Sequence, residues 1–452
     1  MRAMQGASQL AQTASSSQQE RITLYHWLVV IIASAGWLFD CMDQRLFVLA
    51  RESALRELLG PETASEVIKQ YIGYATTSMI LGWATGGIFF GMLSDKWGRV
   101  KTMVTTLLVY SGFTGLCGLA QSWVDFTIYR FLVGLGVGGM FGAATTLVAE
   151  SVPGRVRAVA LGALQALSAV GNMMGSLISL WIQPGAENFW GNWSGWRILF
   201  FVGILPSLLA APILLVLREP EAWKRAKELA RSGQAQRQVG SLKDLFGHPR
   251  WRRHAIIGLL LGVSGMVGLW GIGFFSPELI STALKGAPQH AVDTVRGWGT
   301  FFQDLGAFVG MTAFTVVAAW LSRRLAFLLA FLLCLVTTAY VFLNLRTATD
   351  AYWMLPMMGF AQLAVFAGYS IYFPEIFPTR LRGTGVGFCY NTVRYLAAPA
   401  PMLLGQLSVL LSQQAVAEPF RMAAVIMCSV YLIGMVALIW APETKGRPLP
   451  EE

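Results

Sequence analysis

Apolar windows of about 20 residues, divided by short polar breaks, recur from one end of the chain to the other. They predict twelve membrane-spanning helices. The first six cover 26–50, 71–94, 102–121, 125–149, 157–183 and 196–217. The second six cover 254–280, 295–320, 324–345, 351–374, 383–411 and 417–440. Residues 1–20 are rich in Gln, Ser and Ala and lack a continuous apolar stretch, so they do not read as a cleavable signal peptide. Residues 1–25 are expected to form a disordered cytoplasmic tail.

Composition agrees with this pattern. Of 452 residues 55% are hydrophobic and only 13% charged, too apolar for a soluble chain with a single core. If the N-terminal tail is cytoplasmic, that side collects 23 of the 34 Lys and Arg, so the positive-inside rule places both termini in the cytoplasm. The net charge of +10 mostly reports this asymmetry. The basic stretch 218–253 reads as a linker lying at anionic headgroups rather than as a nucleic-acid surface. Cys41, Cys117, Cys334, Cys389 and Cys428 fall inside apolar windows and form no C-x-x-C pair. His26, His248, His254 and His290 have no metal-ligand spacing, so neither a metal nor a cofactor is expected and a membrane-embedded enzyme finds no constellation to use.

The chain repeats itself once. "ESVPGRVRA" at 150–158 and "EIFPTRLRG" at 375–383 share the pattern E-x-x-P-x-R-x-R-small, half a chain apart. A six-helix unit used twice gives two halves that can rock about a site held between them. The expected division is a tail (1–25), a first bundle (26–217), a linker (218–253), a second bundle (254–441) and a second tail (442–452). Glu150 with Arg155 and Arg157, and Glu375 with Arg380 and Arg382, set a carboxylate beside two arginines at a membrane edge. Such groups suit reversible ionic latches, or they serve only solubility and anchoring.

"GMLSDKWGRVK" at 91–101 carries the most specific motif. With Gly91, Asp95, Gly98, Arg99 and Lys101, it resembles the loop between helices 2 and 3 of the major facilitator superfamily. "RFLVGLGVGG" at 130–139 is similar to that superfamily's helix 4 signature, and "PETKGRPLPEE" at 442–452 to the tail of sugar porters and their organic-acid relatives. The resemblance implies an all-α fold of twelve transmembrane helices in two pseudo-symmetric bundles, working by alternating access. Asp95 is placed to cap a neighbouring helix or pair with an arginine, and Gly98 to permit the tight turn. "AWLSRRLAF" keeps Arg323 and Arg324 but has no aspartate, so the second latch is expected to be weaker. Gly134, Gly138 and Gly142 lie inside a span, where small-x-x-x-small spacing lets helices approach and no nucleotide loop forms.

"FDCMDQRLF" at 39–47 sets Asp40, Asp43 and Arg45 inside an apolar window, where a central charge costs about 2.5–3.5 kcal/mol on insertion scales. At about 1.5 Å per residue, Asp40 and Asp43 lie roughly 21 and 25 Å up the first helix, level with Arg130 on the fourth. "DCMD" resembles the D-x-x-D of aromatic-acid and sialic-acid type proton symporters, with Cys41 where Gly is usual. That resemblance implies that Asp43 carries a coupled proton, Arg130 tunes it and Asp40 assists. The alternative is a static ion-pair network that includes Arg45.

Arg394 and Asp304 also lie near the midplane. Guanidinium matches carboxylate bidentately, so Arg394 is the natural anchor for an anionic substrate unless Asp304 neutralises it. Gln165, Asn172, Trp270, Gln303, Gln362, Tyr369 and Tyr372 are candidate cavity liners. The sequence therefore predicts a monomeric, multi-pass transporter of the plasma or bacterial inner membrane that carries a small organic acid with protons. A sugar or polyol symporter is the alternative, ahead of a drug or metabolite antiporter or a non-transporting sensor of the same fold.

Overall fold

A computed structural model describes residues 22–451 except 61, 64, 183, 185, 187 and 232–239. Most of the expected N-terminal tail lies outside the described residues. The chain is almost wholly helical, and each predicted span has its counterpart. The first half comprises α1 (Leu24–Leu59), α2 (Ser65–Trp97), α3 (Arg99–Cys117), α4 (Trp123–Ser151) and α5 (Gly154–Trp181), then a sixth span divided into α6 (Gly195–Val202) and α7 (Ala210–Val216). Two connecting helices follow, α8 (Glu221–Arg231) and α9 (Leu242–Gly247).

The second half's first helix is α10 (Pro249–Gly271), which starts a few residues before the predicted span at 254. Proline at the first helical position explains the early start, because its fixed φ suits a helix whose first amides have no partner. The seventh span continues in α11 (Ser276–Ala283), and α12 (Gln289–Trp320), α13 (Arg323–Asn344) and α14 (Ala348–Ile376) follow. The eleventh divides into α15 (Arg382–Ala397) and α16 (Ala400–Gln413), the twelfth into α17 (Pro419–Met427) and α18 (Val430–Ala437).

Among the described residues eleven helical stretches are long and apolar enough to cross a membrane by composition. The eleventh span is not among them, because it breaks before Ala400, next to Pro399, and carries Arg382 and Arg394. Proline cannot donate the amide that would close that turn.

The repeat is visible in local geometry. Ser122 accepts from the Asp125 amide to open α4, and Thr347 accepts from the Asp350 amide to open α14. Each pair forms a reciprocal capping box, which satisfies otherwise orphaned amides. Arg99 in the first half and Arg323 in the second repeat one another more fully, as described below.

Close helix crossings set the distances between spans. A Cβ on Gly138 would lie 2.1 Å from the Trp83 carbonyl oxygen, so α4 and α2 meet backbone to backbone. One on Gly387 would lie 2.3 Å from the Gly87 oxygen, bringing α15 of the second half against α2 of the first. Gly138→Val is expected to destabilise the first half by about 2 kcal/mol or more, since rigid backbone cannot yield to the added methyls. A thermal melt of the detergent-solubilised protein measures the loss; an unchanged midpoint would rule out the crossing as drawn.

Candidate functional site

Two polar clusters interrupt this apolar bundle. One lies on the face that carries the ends of the described chain, the other at the level of Asp40 between the halves.

At the terminal face the Arg99 guanidinium is fully buried. It donates to Glu150 at 3.1 and 3.0 Å, to Asp95 at 2.9 Å, to the Ser94 carbonyl at 2.8 Å and, across the two halves, to the Thr379 carbonyl at 2.9 Å. Asp95 also accepts from the amides of Gly383 and Thr384 at 3.0 and 2.8 Å, and from the Thr384 hydroxyl at 2.6 Å. It therefore caps the N-terminal end of α15 and pairs with an arginine at once, joining the two roles open to it in the sequence. Glu150 completes the crossing through Arg382 at 2.5 Å. Gly98 makes the turn into α3 at φ +123°, a conformation that side chains disfavour.

The second half repeats this knot without its crossing member. Arg323 donates to Glu375 at 3.2 and 3.0 Å and to the Ala318 carbonyl at 2.6 Å, all within one half. Ala319 stands where the first half has Asp95. Arg380 pairs with Asp244 of α9 at 2.9 Å, and Arg157 donates to the Ala149 carbonyl at 3.0 Å. Arg155 stands exposed, outside the knot expected of it, because its position at the start of α5 turns it to solvent.

Sequence reasoning missed the carboxylates that cap α3 and α13. Glu219 accepts from the Arg99, Val100 and Lys101 amides, and Glu443 from the Arg323 and Arg324 amides and the Ser322 hydroxyl. Burial pushes the Glu219 carboxyl above its usual range despite these donors. At Glu443 the donors outweigh burial and hold it below that range. The available signal was a glutamate beside a proline just after each half's last span.

The central cluster brings Asp43 and Arg130 together as helical height predicted. Their nearest atoms are 3.8 Å apart, and both side chains are fully buried. Arg130 donates to Cys117 at 3.2 Å and Thr114 at 3.3 Å, and its guanidinium lies 4.9 and 5.0 Å from the Phe47 and Phe200 ring centres. Asp40 is fully buried, and neither of its oxygens meets a hydrogen-bond donor among the described residues.

Arg394 reaches from α15 across the interface between the halves. Its guanidinium lies 3.9 Å from the Trp83 ring centre and 4.7 Å from that of Tyr390. It donates to the Tyr390 carbonyl at 2.5 Å and to Asn391 at 2.9 Å, while its Nε is unpaired. Among the described residues no carboxylate lies within ion-pair distance of it. Asp304 does not neutralise Arg394, because it is turned to Arg45 at 2.7 Å. Nor does Arg45 join a network with Asp40 and Asp43; it points instead to the opposite half.

The other candidate liners divide. Trp270 packs edge to face with Trp83, the ring that Arg394 covers, at 6.3 Å. Gln165 is buried with its side-chain oxygen unpaired, and Asn172 is partly buried on the same helix. Gln303 accepts from Ser276 at 2.8 Å and Gln362 donates to Thr338 at 3.1 Å, both inside the second half. Tyr369 and Tyr372 commit their hydroxyls to backbone. Their hydroxyls donate to the Leu261 and Pro442 carbonyls at 2.6 and 2.7 Å, so both pin neighbouring backbone. Trp37, Trp83, Phe141 and Tyr390, unpredicted, form the aromatic wall, with Phe141 and Tyr390 stacked at 3.7 Å.

Two matched bundles, tied at one face and holding charges between them, are the architecture of an alternating-access carrier. The sequence profile of the Major Facilitator Superfamily matches residues 36–400. The chain belongs to that superfamily. It is a multi-pass membrane transporter and not an enzyme. The cis,cis-muconate transport protein of Acinetobacter baylyi is 28% identical over 96% of this chain and 99% of its own. A putative metabolite transport protein of Haemophilus influenzae is 30% identical over 95% and 99%. The solved structure of the proton:xylose symporter XylE superposes with a TM-score of 0.76 at 18% identity, covering 94% of this chain and 98% of that one, a likeness of fold alone. The superfamily's twelve-helix fold is thus the fold of this chain.

Proposed function

We propose that this superfamily member is a secondary transporter that moves a small carboxylic acid together with protons. The observation that carries the reading is Arg394: a buried guanidinium between the halves, over an indole and with no carboxylate within ion-pair distance among the described residues, buried Asp40 acting on it only from farther off. A charge so placed calls for an anion, and a carboxylate gives the paired hydrogen bonds that suit it. The aromatic wall suits a compact, planar acid. Similarity to a muconate carrier supports the same class.

Asp43, held against Arg130, serves as the proton site. Asp40 assists it, since a buried carboxyl without a donor is far cheaper to hold as the neutral acid. The terminal-face knot is the gate, closed in this conformation and opened when the halves rock. Both termini are cytoplasmic, the membrane is the plasma or bacterial inner membrane, and the carrier works as a monomer.

The experiment follows external pH in a lightly buffered, de-energised suspension of cells expressing the protein. Pulses of aromatic acids, cis,cis-muconate, short hydroxy acids, sialic acid and hexoses are added separately. An acid pulse is expected to alkalinise the medium as protons enter with it. A response to hexoses alone would replace the carboxylate reading with sugar symport.

A further inference from the structure

Arg45 and Asp304 have no role in the mechanism above, yet their pairing joins the two halves. Arg45 belongs to α1 of the first half and Asp304 to α12 of the second, and Nη2 meets Oδ2 at 2.7 Å. Their side chains are 24% and 15% exposed, whereas Asp43 and Arg130 beside them have no exposure. This pair is less enclosed than the Asp43–Arg130 contact.

The contact is also incomplete. Asp304 engages Arg45 through a single nitrogen, whereas a guanidinium fork can serve a carboxylate with two parallel bonds. Arg45 and Arg394 each reach the opposite half, Arg45 through Asp304 and Arg394 through Trp83, so both guanidinium groups lie in the seam between the halves.

We propose that Arg45 is a second carboxylate-recognising residue and that Asp304 is its placeholder in the empty carrier. An arriving organic acid takes over the guanidinium and displaces Asp304, whose side chain is already partly exposed. The exchange unties α1 from α12. Loading thus removes a bond between the halves, and an unloaded carrier stays tied. This inference rests on the carboxylate reading of the substrate.

The test is equilibrium binding of cis,cis-muconate, gentisate and benzoate to purified protein, comparing wild type with Arg45→Gln, Asp304→Asn and the swap Arg45→Asp/Asp304→Arg. Arg45→Gln is expected to weaken binding roughly ten-fold or more, as loss of a charged hydrogen-bond partner does. Asp304→Asn is expected to act in the opposite sense and tighten binding several-fold, because the competitor is gone. The swap is expected to leave binding weak, since a carboxylate at position 45 repels the acid.

Equal weakening by both single changes, with recovery in the swap, would overturn the proposal and leave a structural tie. Should Arg45→Gln not yield folded protein, the near-isosteric Asp304→Asn decides by sign: unchanged or weaker binding refutes the exchange. If the wild type binds xylose but none of the three acids, the carboxylate reading itself falls and this inference with it.

Discussion

Arg394→Ala is expected to abolish measurable binding of the transported acid, with affinity falling roughly 100-fold if a residue of it survives. The guanidinium is buried between the halves and its Nε lacks a partner among the described residues, so it is placed for an incoming anion. Arg394→Lys should rescue little. An ammonium cannot lie flat on Trp83 at 3.9 Å, nor offer a planar fork to a carboxylate. Isothermal titration with cis,cis-muconate and benzoate reads the effect directly, and wild-type affinity in the alanine variant would remove Arg394 from the site.

Asp43→Asn should uncouple the carrier. Asparagine keeps the shape beside Arg130 but cannot carry a proton, so uphill accumulation is expected to fall to parity with the medium. Exchange of labelled for unlabelled acid across the membrane should continue, because that half of the cycle needs no net proton movement. The separation of the two readouts matters: loss of both would point to a collapsed Asp43–Arg130 contact rather than to a missing proton site. Undiminished accumulation would assign coupling elsewhere. Asp40 is then the nearest alternative, since it is buried without a donor.

Much of this arrangement was legible because hydrophobic windows report a membrane directly, and helical rise converts sequence position into depth. That is why Asp43 and Arg130 were paired correctly from residue counting. Depth says nothing about the direction in which a side chain leaves its helix. Asp304 and Arg394 share a level, yet Asp304 turns toward Arg45. The Tyr369 and Tyr372 hydroxyls were illegible for a related reason: a hydroxyl in a polar-poor span finds the nearest backbone carbonyl, and only packing reveals which one. Glu219 and Glu443 each stand beside a proline just after a half's last span, but their partners are far along the chain, so that local pattern marks the glutamates without naming what they cap.

The two capping carboxylates bear on the order in which the protein is made. Each half's third helix receives its cap from the stretch that leaves the ribosome just after that half's final span. The first bundle can thus complete Arg99, Glu150 and Glu219 while the second is still unsynthesised. Asp95 must wait, because the amide of Gly383 lies 288 residues downstream. Until it arrives, the Asp95 carboxylate still has the Arg99 guanidinium, four residues along the chain, as a partner. Biogenesis therefore builds two self-sufficient bodies first and fastens them together last, along the seam that transport later has to reopen.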